Sequence, residues 1–177
     1  DAEVVILGGG FAGLLAGAYL KKAGVDGVRV IEMAGDFGGV WYWNRFPGIQ
    51  CDNDSYCYIP LLEELGFMPS KKYADGAEIL QHCRNIGKHF GLYDGALFST
   101  QVREMRWDDT MQRWRITTDR GDRLAPFLRW KPHPVARGLG PDLLVASAHH
   151  RENRHGHAPT SQFAARVRSY SRSRWRR

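Results

Sequence analysis

No stretch of 18 apolar residues occurs in the 177-residue chain, so no helix of membrane-spanning length is expected. Cysteine is scarce. Cys51, Cys57 and Cys83 are an odd number, and none forms a C-x-x-C pair. That argues against a disulfide-framed secreted domain and against a dithiol redox motif. It favours small buried or partly buried thiols in a reduced, cytoplasmic setting. No basic-then-apolar secretory leader precedes Glu3, and there is no initiating Met, which suggests a fragment or a processed chain. Acidic residues nearly vanish toward the end. Residues 121–177 carry 12 Lys and Arg against 3 Asp and Glu, net +9, whereas residues 1–120 carry 13 against 16, net −3. The overall charge of +6 thus describes the tail and says nothing about the front.

What is present is enough for one ordinary domain, with 43% apolar residues to build a core. Glu3 to Leu7 is a short β-branched run that reads as a buried parallel strand. Leu14, Leu15, Ala18 and Leu20 predict a helix from Phe11 to Ala23, with Lys21 and Lys22 in its last turn and Gly24 as its stop. Val28 to Glu32 is a second strand, which completes a β-α-β unit. Residues 34–60 are rich in glycine and aromatics and show little periodicity. Asp75 with Glu78 predicts a capped helix whose stripe is Ile79, Leu80, Cys83, Ile86 and Phe90, ending at Gly91. Leu97–Trp107, Arg113–Thr118 and Arg123–Leu128 predict a three-stranded meander. Beyond that, residues 131–177 lack any period and are expected to be largely disordered, apart from a weak piece at Leu143 to Ala148.

Gly8-Gly9-Gly10-Phe11-Ala12-Gly13 fits G-x-G-x-x-G. The pattern alone is weak. Here it follows a strand, opens a helix and has an acid at the end of the next strand, which is the context dinucleotide binding requires. Gly8 permits the tight turn, Gly10 admits the pyrophosphate to the backbone, and Gly13 lets helix and sheet approach. Amides at the helix start favour phosphate charge. Glu32 would accept from ribose hydroxyls and repel a 2′-phosphate, so FAD or NAD is expected at this site rather than NADP.

The loop then separates the two. Gly38-Gly39-Val40-Trp41-Tyr42-Trp43-Asn44-Arg45-Phe46-Pro47-Gly48 places three successive aromatics beside paired glycines. They need a large flat partner or a core, and a flavin would supply the partner. The bland alternative is an aromatic plug in an ordinary core.

The chain resembles class B flavoprotein monooxygenases, above all the Baeyer–Villiger type, from about Val4 to about Leu128. The resemblance rests on the Gly8–Gly13 turn, Glu32, the Gly38–Gly48 stretch, Cys51-Asp52, the Tyr56-Cys-Tyr58 region, Lys72-Tyr-Ala74 and Phe98-Ser-Thr-Gln-Val102. It implies an α/β Rossmann-like dinucleotide-binding fold with an antiparallel β-meander. It implies that Ala12 and Gly13 lie at the pyrophosphate and that Glu32 holds the adenosine ribose. Gly39, Val40, Trp41, Tyr42 and Trp43 would line the ribityl chain and ring. Asp52 would sit beside the flavin and help to position a catalytic arginine from a later part of the chain. One of Tyr56 and Tyr58 would meet the ring, and Val102 would back the adenine. Gln50, Cys51 and Asp52 would correspond to a segment that meets the nicotinamide cofactor. In such enzymes NADPH reduces FAD, and O₂ then oxidises a ketone to an ester or lactone, or a soft heteroatom.

The departures are as informative. No second strand–glycine turn–helix follows, so the NADPH domain is missing from this chain. The fingerprint F-x-G-x-x-x-H-x-x-x-W-P and the late arginine are missing too. After Leu124 the family would continue with a buried strand, but here Pro126 lacks the amide such a strand needs. Residues 1–128 are therefore read as an incomplete FAD-binding domain and 129–177 as a basic, low-acid tail. Out-of-frame reading of GC-rich DNA from about residue 125 would account for that tail, against the alternative of a genuine basic extension. Two rivals stand beside the monooxygenase. One is another FAD- or NAD-dependent oxidoreductase that shares only the glycine turn, such as a disulfide reductase, which would need a cysteine pair. The other is a non-catalytic product, either a non-functional fragment or a nucleic-acid-binding module built on the Arg-rich end. His149, His150, His155 and His157 have no acids or cysteines at ligand spacing, so no metal site is assigned.

Overall fold

The structure, a computed structural model, describes residues 2–110, 113–121 and 123–124. Strand β1 (Val4–Leu7) pairs in parallel with β2 (Val28–Ile31), Val4 opposite Val28 and Leu7 opposite Ile31. A parallel pair needs a crossover, and α1 (Phe11–Lys22) supplies it. The buried face of α1 is small: Gly13, Leu14, Gly17 and Ala18. Small residues let the helix lie close to the sheet. Gly24, in the left-handed region at φ +79°, turns the chain back toward β2.

Successive residues of β1 and β2 serve opposite faces, as the period of two requires. Ile6, Val28 and Val30 join one core cluster with Leu14, Phe37, Cys83, Ile86 and Leu92. Val5 and Ile31 join another, with Ala2 and Ile116. The first face is covered by α1, with Cys83 and Ile86 of α5 (Gly76–His89) in the same cluster, while Ile79 and Leu80 of α5 pack with Trp41, Cys51, Ile59 and Ala74. The second is covered by a meander of β4 (Val102–Asp108), β5 (Arg113–Thr118) and β6 (Arg123–Leu124), in antiparallel order. Trp107 and Trp114 face each other across β4 and β5, ring centroids 5.7 Å apart.

Three expectations need correction. Leu97–Trp107 is not one strand. Ala96–Leu97 forms β3, which pairs in parallel with β2 and gives the first sheet the order β1-β2-β3. Ser99, at φ +50°, redirects the chain before β4 begins in the second sheet. The split arises because one run of sequence serves two sheets. Residues 34–60 are not wholly irregular either, since they hold α2 (Val40–Trp43) and α3 (Ser55–Tyr58); α4 (Leu62–Leu65) follows. Finally, Asp75 occupies the N-cap of α5 without capping it. Its carboxylate is taken by Lys71 at 2.8 Å and Gln50 at 3.0 Å, while Glu78 accepts from the amide and hydroxyl of Ser70. The 125–128 end of the third predicted strand, the Leu143 to Ala148 piece and the basic tail lie outside the described residues.

Candidate cofactor site

The glycine turn runs from the end of β1 into α1. Gly8 adopts φ +99°, a conformation that side chains rarely tolerate, and its amide donates to Ile31 O at 2.8 Å. A Cβ on Gly13 would lie 1.9 Å from Gly8 O, so no larger residue lets α1 seat against the turn. Gly10 is the N-cap of α1, and the first turn carries no acid. The first amides of the helix have no carbonyl one turn back, and the helix dipole makes this end electropositive. Ala12 is exposed there, so the mouth of α1 is open.

The loop after β2 folds back onto this turn. Gly38 N donates to Gly9 O at 2.9 Å. A Cβ on Gly39, itself at φ +56°, would come within 2.8 Å of Gly10 Cα. Backbone thus lies directly on backbone, and α2 starts at this contact. Glu32 follows β2 and is fully buried. One carboxylate oxygen accepts from Gly9 N and the other from Ala34 N. The acid therefore braces the glycine turn through the chain's own amides.

The aromatic run fans out from α2. Trp41 is buried, and its Nε1 donates to Tyr58 Oη at 3.1 Å. Tyr58 also lies against Phe11 of α1, rings 5.4 Å apart. Burial is the chief reason its phenol is raised above the ordinary value. Tyr42 is half-buried, with the Arg45 guanidinium 4.7 Å from its ring centroid. Val40, Trp43 and Tyr56 are exposed.

A short ladder holds the next segment. Cys51 N donates to Ala74 O, Gly76 N to Ile49 O, Ser55 N to Lys72 O, and Ala74 N to Ser55 Oγ. Cys51 is consequently buried, whereas Gln50 and Asp52 face out. Val102 stands elsewhere, at the start of β4, in the cluster with Leu7 and Val5.

The structure therefore brings Gly8–Gly13, Glu32 and Gly38–Gly39 into one contact set, and Trp41 with Tyr58 into an adjoining layer. It leaves Trp43, Gln50, Asp52 and Tyr56 at the surface. Sequence reasoning passed over the anchor of the loop, formed by Asp36, Arg84 and Tyr93. Its signal was faint: an acid just ahead of Phe37-Gly38-Gly39 and an arginine in the middle of α5.

Residues 6–63 match the family of NAD(P)-binding Rossmann-like domains, in keeping with the parallel sheet and the glycine turn. The longer likeness is more specific. Over 123 residues, 70% of this chain, the sequence is 57% identical to Baeyer-Villiger monooxygenase 4 of Dietzia sp. (strain D5), of which it covers 20%. It is 54% identical over 123 residues to neopentalenolactone D synthase of Streptomyces avermitilis, covering 69% of this chain and 21% of that protein. Among solved structures, a polycyclic ketone monooxygenase from Thermothelomyces thermophila matches with a TM-score of 0.65 and 40% identity, over 71% of this chain and 21% of that one. An oxidised steroid monooxygenase bound to NADP matches with a TM-score of 0.64 and 39% identity, over 70% and 24%. Over this span the chain is similar to proteins named as Baeyer–Villiger monooxygenases and to solved ketone and steroid monooxygenases. The chain spans about a fifth of the length of the curated relatives it matches.

Proposed function

We propose that this chain is the FAD-binding front of a flavin-dependent monooxygenase of Baeyer–Villiger type. The observation that carries the reading is the contact of Gly38–Gly39 with Gly9–Gly10 at the open mouth of α1, with Val40–Trp43 rising from that contact. The residues fit the cofactor. Helix amides with no acid in their own first turn suit a diphosphate. A Cβ on Gly10 would come 3.4 Å from Gly39 Cα, so the two glycine segments meet backbone to backbone. Glu32 has lone pairs left after its two amide bonds, and these suit ribose hydroxyls.

Tyr58 rather than Tyr56 belongs to the ring region in this reading, since it shares a layer with Trp41 and Phe11. Asp52 accepts from Asn53 Nδ2 at 3.2 Å and stays exposed, available to an arginine from further along the chain. Gln50 and Asp52, more than buried Cys51, would meet a nicotinamide cofactor, and Val102 would back the adenine from the meander side. When bound, FAD supplies electron transfer from NADPH and oxygen insertion into a ketone or onto a soft heteroatom. A small ketone or heteroatom compound, a cytoplasmic setting, and no membrane or nucleic-acid partner complete the reading. Residues 1–128 are then an incomplete FAD domain.

Titrating FAD into the 177-residue chain tests this, with flavin fluorescence as the signal. Saturable binding at about 1–100 µM, competed by ADP and lost on desalting, is expected. A folded chain that shows no saturable binding, or binding indifferent to ADP, refutes the reading. Yellow protein after desalting would show a more complete site than proposed.

A further inference from the structure

Gly38 and Gly39 both lie at positive φ, 144° and 56°, and neither has a side chain with which to hold itself in place. Glycine carries the largest backbone entropy to be lost on ordering. The precision of their contact with Gly9 and Gly10 must come from neighbours, and Asp36 is positioned to supply it. Its Oδ1 accepts from Phe37 N and from Tyr93 Oη, each at 2.8 Å, and its Oδ2 accepts from Arg84 Nε at 2.8 Å. The three donors come from the loop itself, from α5, and from the short 3-10 turn Leu92–Gly95.

The next residue locks in the other direction. The Phe37 ring is fully buried, edge-on to Tyr93 at 4.8 Å and to Phe98 at 4.9 Å. A Cβ on Gly9 would stand 2.9 Å from that ring, and one on Gly87 would stand 2.6 Å away. Burial and then the Asp36 carboxylate raise the Tyr93 phenol, so its hydroxyl stays a donor.

We propose that Asp36 is a positioning residue for the cofactor cleft: it ties the loop to Arg84 and Tyr93 and so sets Gly38–Gly39 against the glycine turn. Its carboxylate bonds go to Phe37, Tyr93 and Arg84 rather than to the turn itself. The Asp36 and Arg84 side chains are 24% and 32% exposed and border an open depression of about 520 Å³. Water screens their attraction, so the clamp acts through direction more than strength.

Amide hydrogen exchange on the 177-residue chain tests this without any ligand. In Asp36→Ala, the Gly38 amide, bonded to Gly9 O, should lose about tenfold in protection relative to the Gly8 amide, bonded to Ile31 O. Tyr93→Phe, which removes one of the three donors, should cost about threefold and serves if Asp36→Ala does not fold. Unchanged Gly38 exchange, or equal losses at Gly8 and Gly38, overturns the proposal. A second measurement rests on the FAD reading. The ratio of the Kd for FAD to that for ADP should rise about tenfold in Asp36→Ala and stay constant in Leu20→Ala, which loosens the far end of α1. An unchanged ratio in Asp36→Ala counts against the role. If the parent chain binds neither ligand, the cofactor reading fails, while hydrogen exchange still decides the place of Asp36.

Discussion

Replacing Gly13 by Ala adds one methyl at the tightest point of the molecule. The new Cβ would sit 1.9 Å from Gly8 O and 3.0 Å from Gly8 C, with Ile6 Cγ2 at 3.4 Å. Ordinary contact begins near 3.4 Å, so α1 and the turn must part by about 1.5 Å. The obstacle is backbone at the end of a buried strand, which cannot rotate aside. We take the upper end of overpacking costs, about 3 kcal/mol, reduced by the roughly 1 kcal/mol that Ala gains over Gly in a helix. The net loss is about 2 kcal/mol. Gly17→Ala is the internal comparison. Its Cβ would meet Leu92 Cδ1 and Cδ2 at 2.9 Å, the far end of a flexible side chain. The helix gain offsets most of that rearrangement, so the change should stay within about 1 kcal/mol of the parent. Urea unfolding followed by far-ultraviolet circular dichroism measures both, provided the slope is unchanged. FAD affinity should fall more than about tenfold in Gly13→Ala, because the helix amides move with the helix. A Gly13→Ala protein as stable as the parent, or one less perturbed than Gly17→Ala, would refute the reasoning.

Two further outcomes follow from buried polar groups. His82 is fully buried; its Nε2 faces Pro60 O at 2.7 Å, and its Nδ1 has no hydrogen-bond partner. Burial lowers its pKa below 6.5, so as pH falls the unfolded chain takes up that proton before the folded one. Stability should therefore be fully present above about pH 6.5 and fall below it by up to about 1.4 kcal/mol per pH unit, a slope that His82→Leu should remove. Urea unfolding at pH 8, 6 and 5 reads it; an unaltered slope in His82→Leu would assign the effect elsewhere. Tyr58→Phe leaves Trp41 Nε1 without its acceptor in a position only 7% exposed. It should cost about 1–3 kcal/mol, against less than about 0.5 kcal/mol for exposed Tyr56→Phe, and equal effects in thermal melts would contradict the layer described here.

Much of the fold was legible because its signals are local. β-branched runs marked β1 and β2. The stripe of α5 and the Gly24 and Gly91 stops marked the helices. The misreadings share one cause, which is that local patterns do not say which partner a segment will choose. Asp75 and Glu78 had the spacing of a capping box, yet each carboxylate found a nearer donor in Lys71 and Gln50, or in Ser70. Leu97–Trp107 had the composition of one strand, yet two sheets divided it.

The sequence by itself determined the glycine turn, its helix and the acid at the end of β2, because steric freedom at glycine and strand periodicity act over a few residues. Its stretch Gly38–Gly48 carried the resemblance to Baeyer–Villiger-type monooxygenases. Only the tertiary structure decided that Gly38–Gly39 lies on Gly9–Gly10, that Trp41 turns inward to Tyr58 while Trp43 turns out, and that Asp36 is held by Arg84 and Tyr93. Those contacts join residues far apart in the chain. Their geometry is set by how the core packs and by which donors are left facing one another once it has closed.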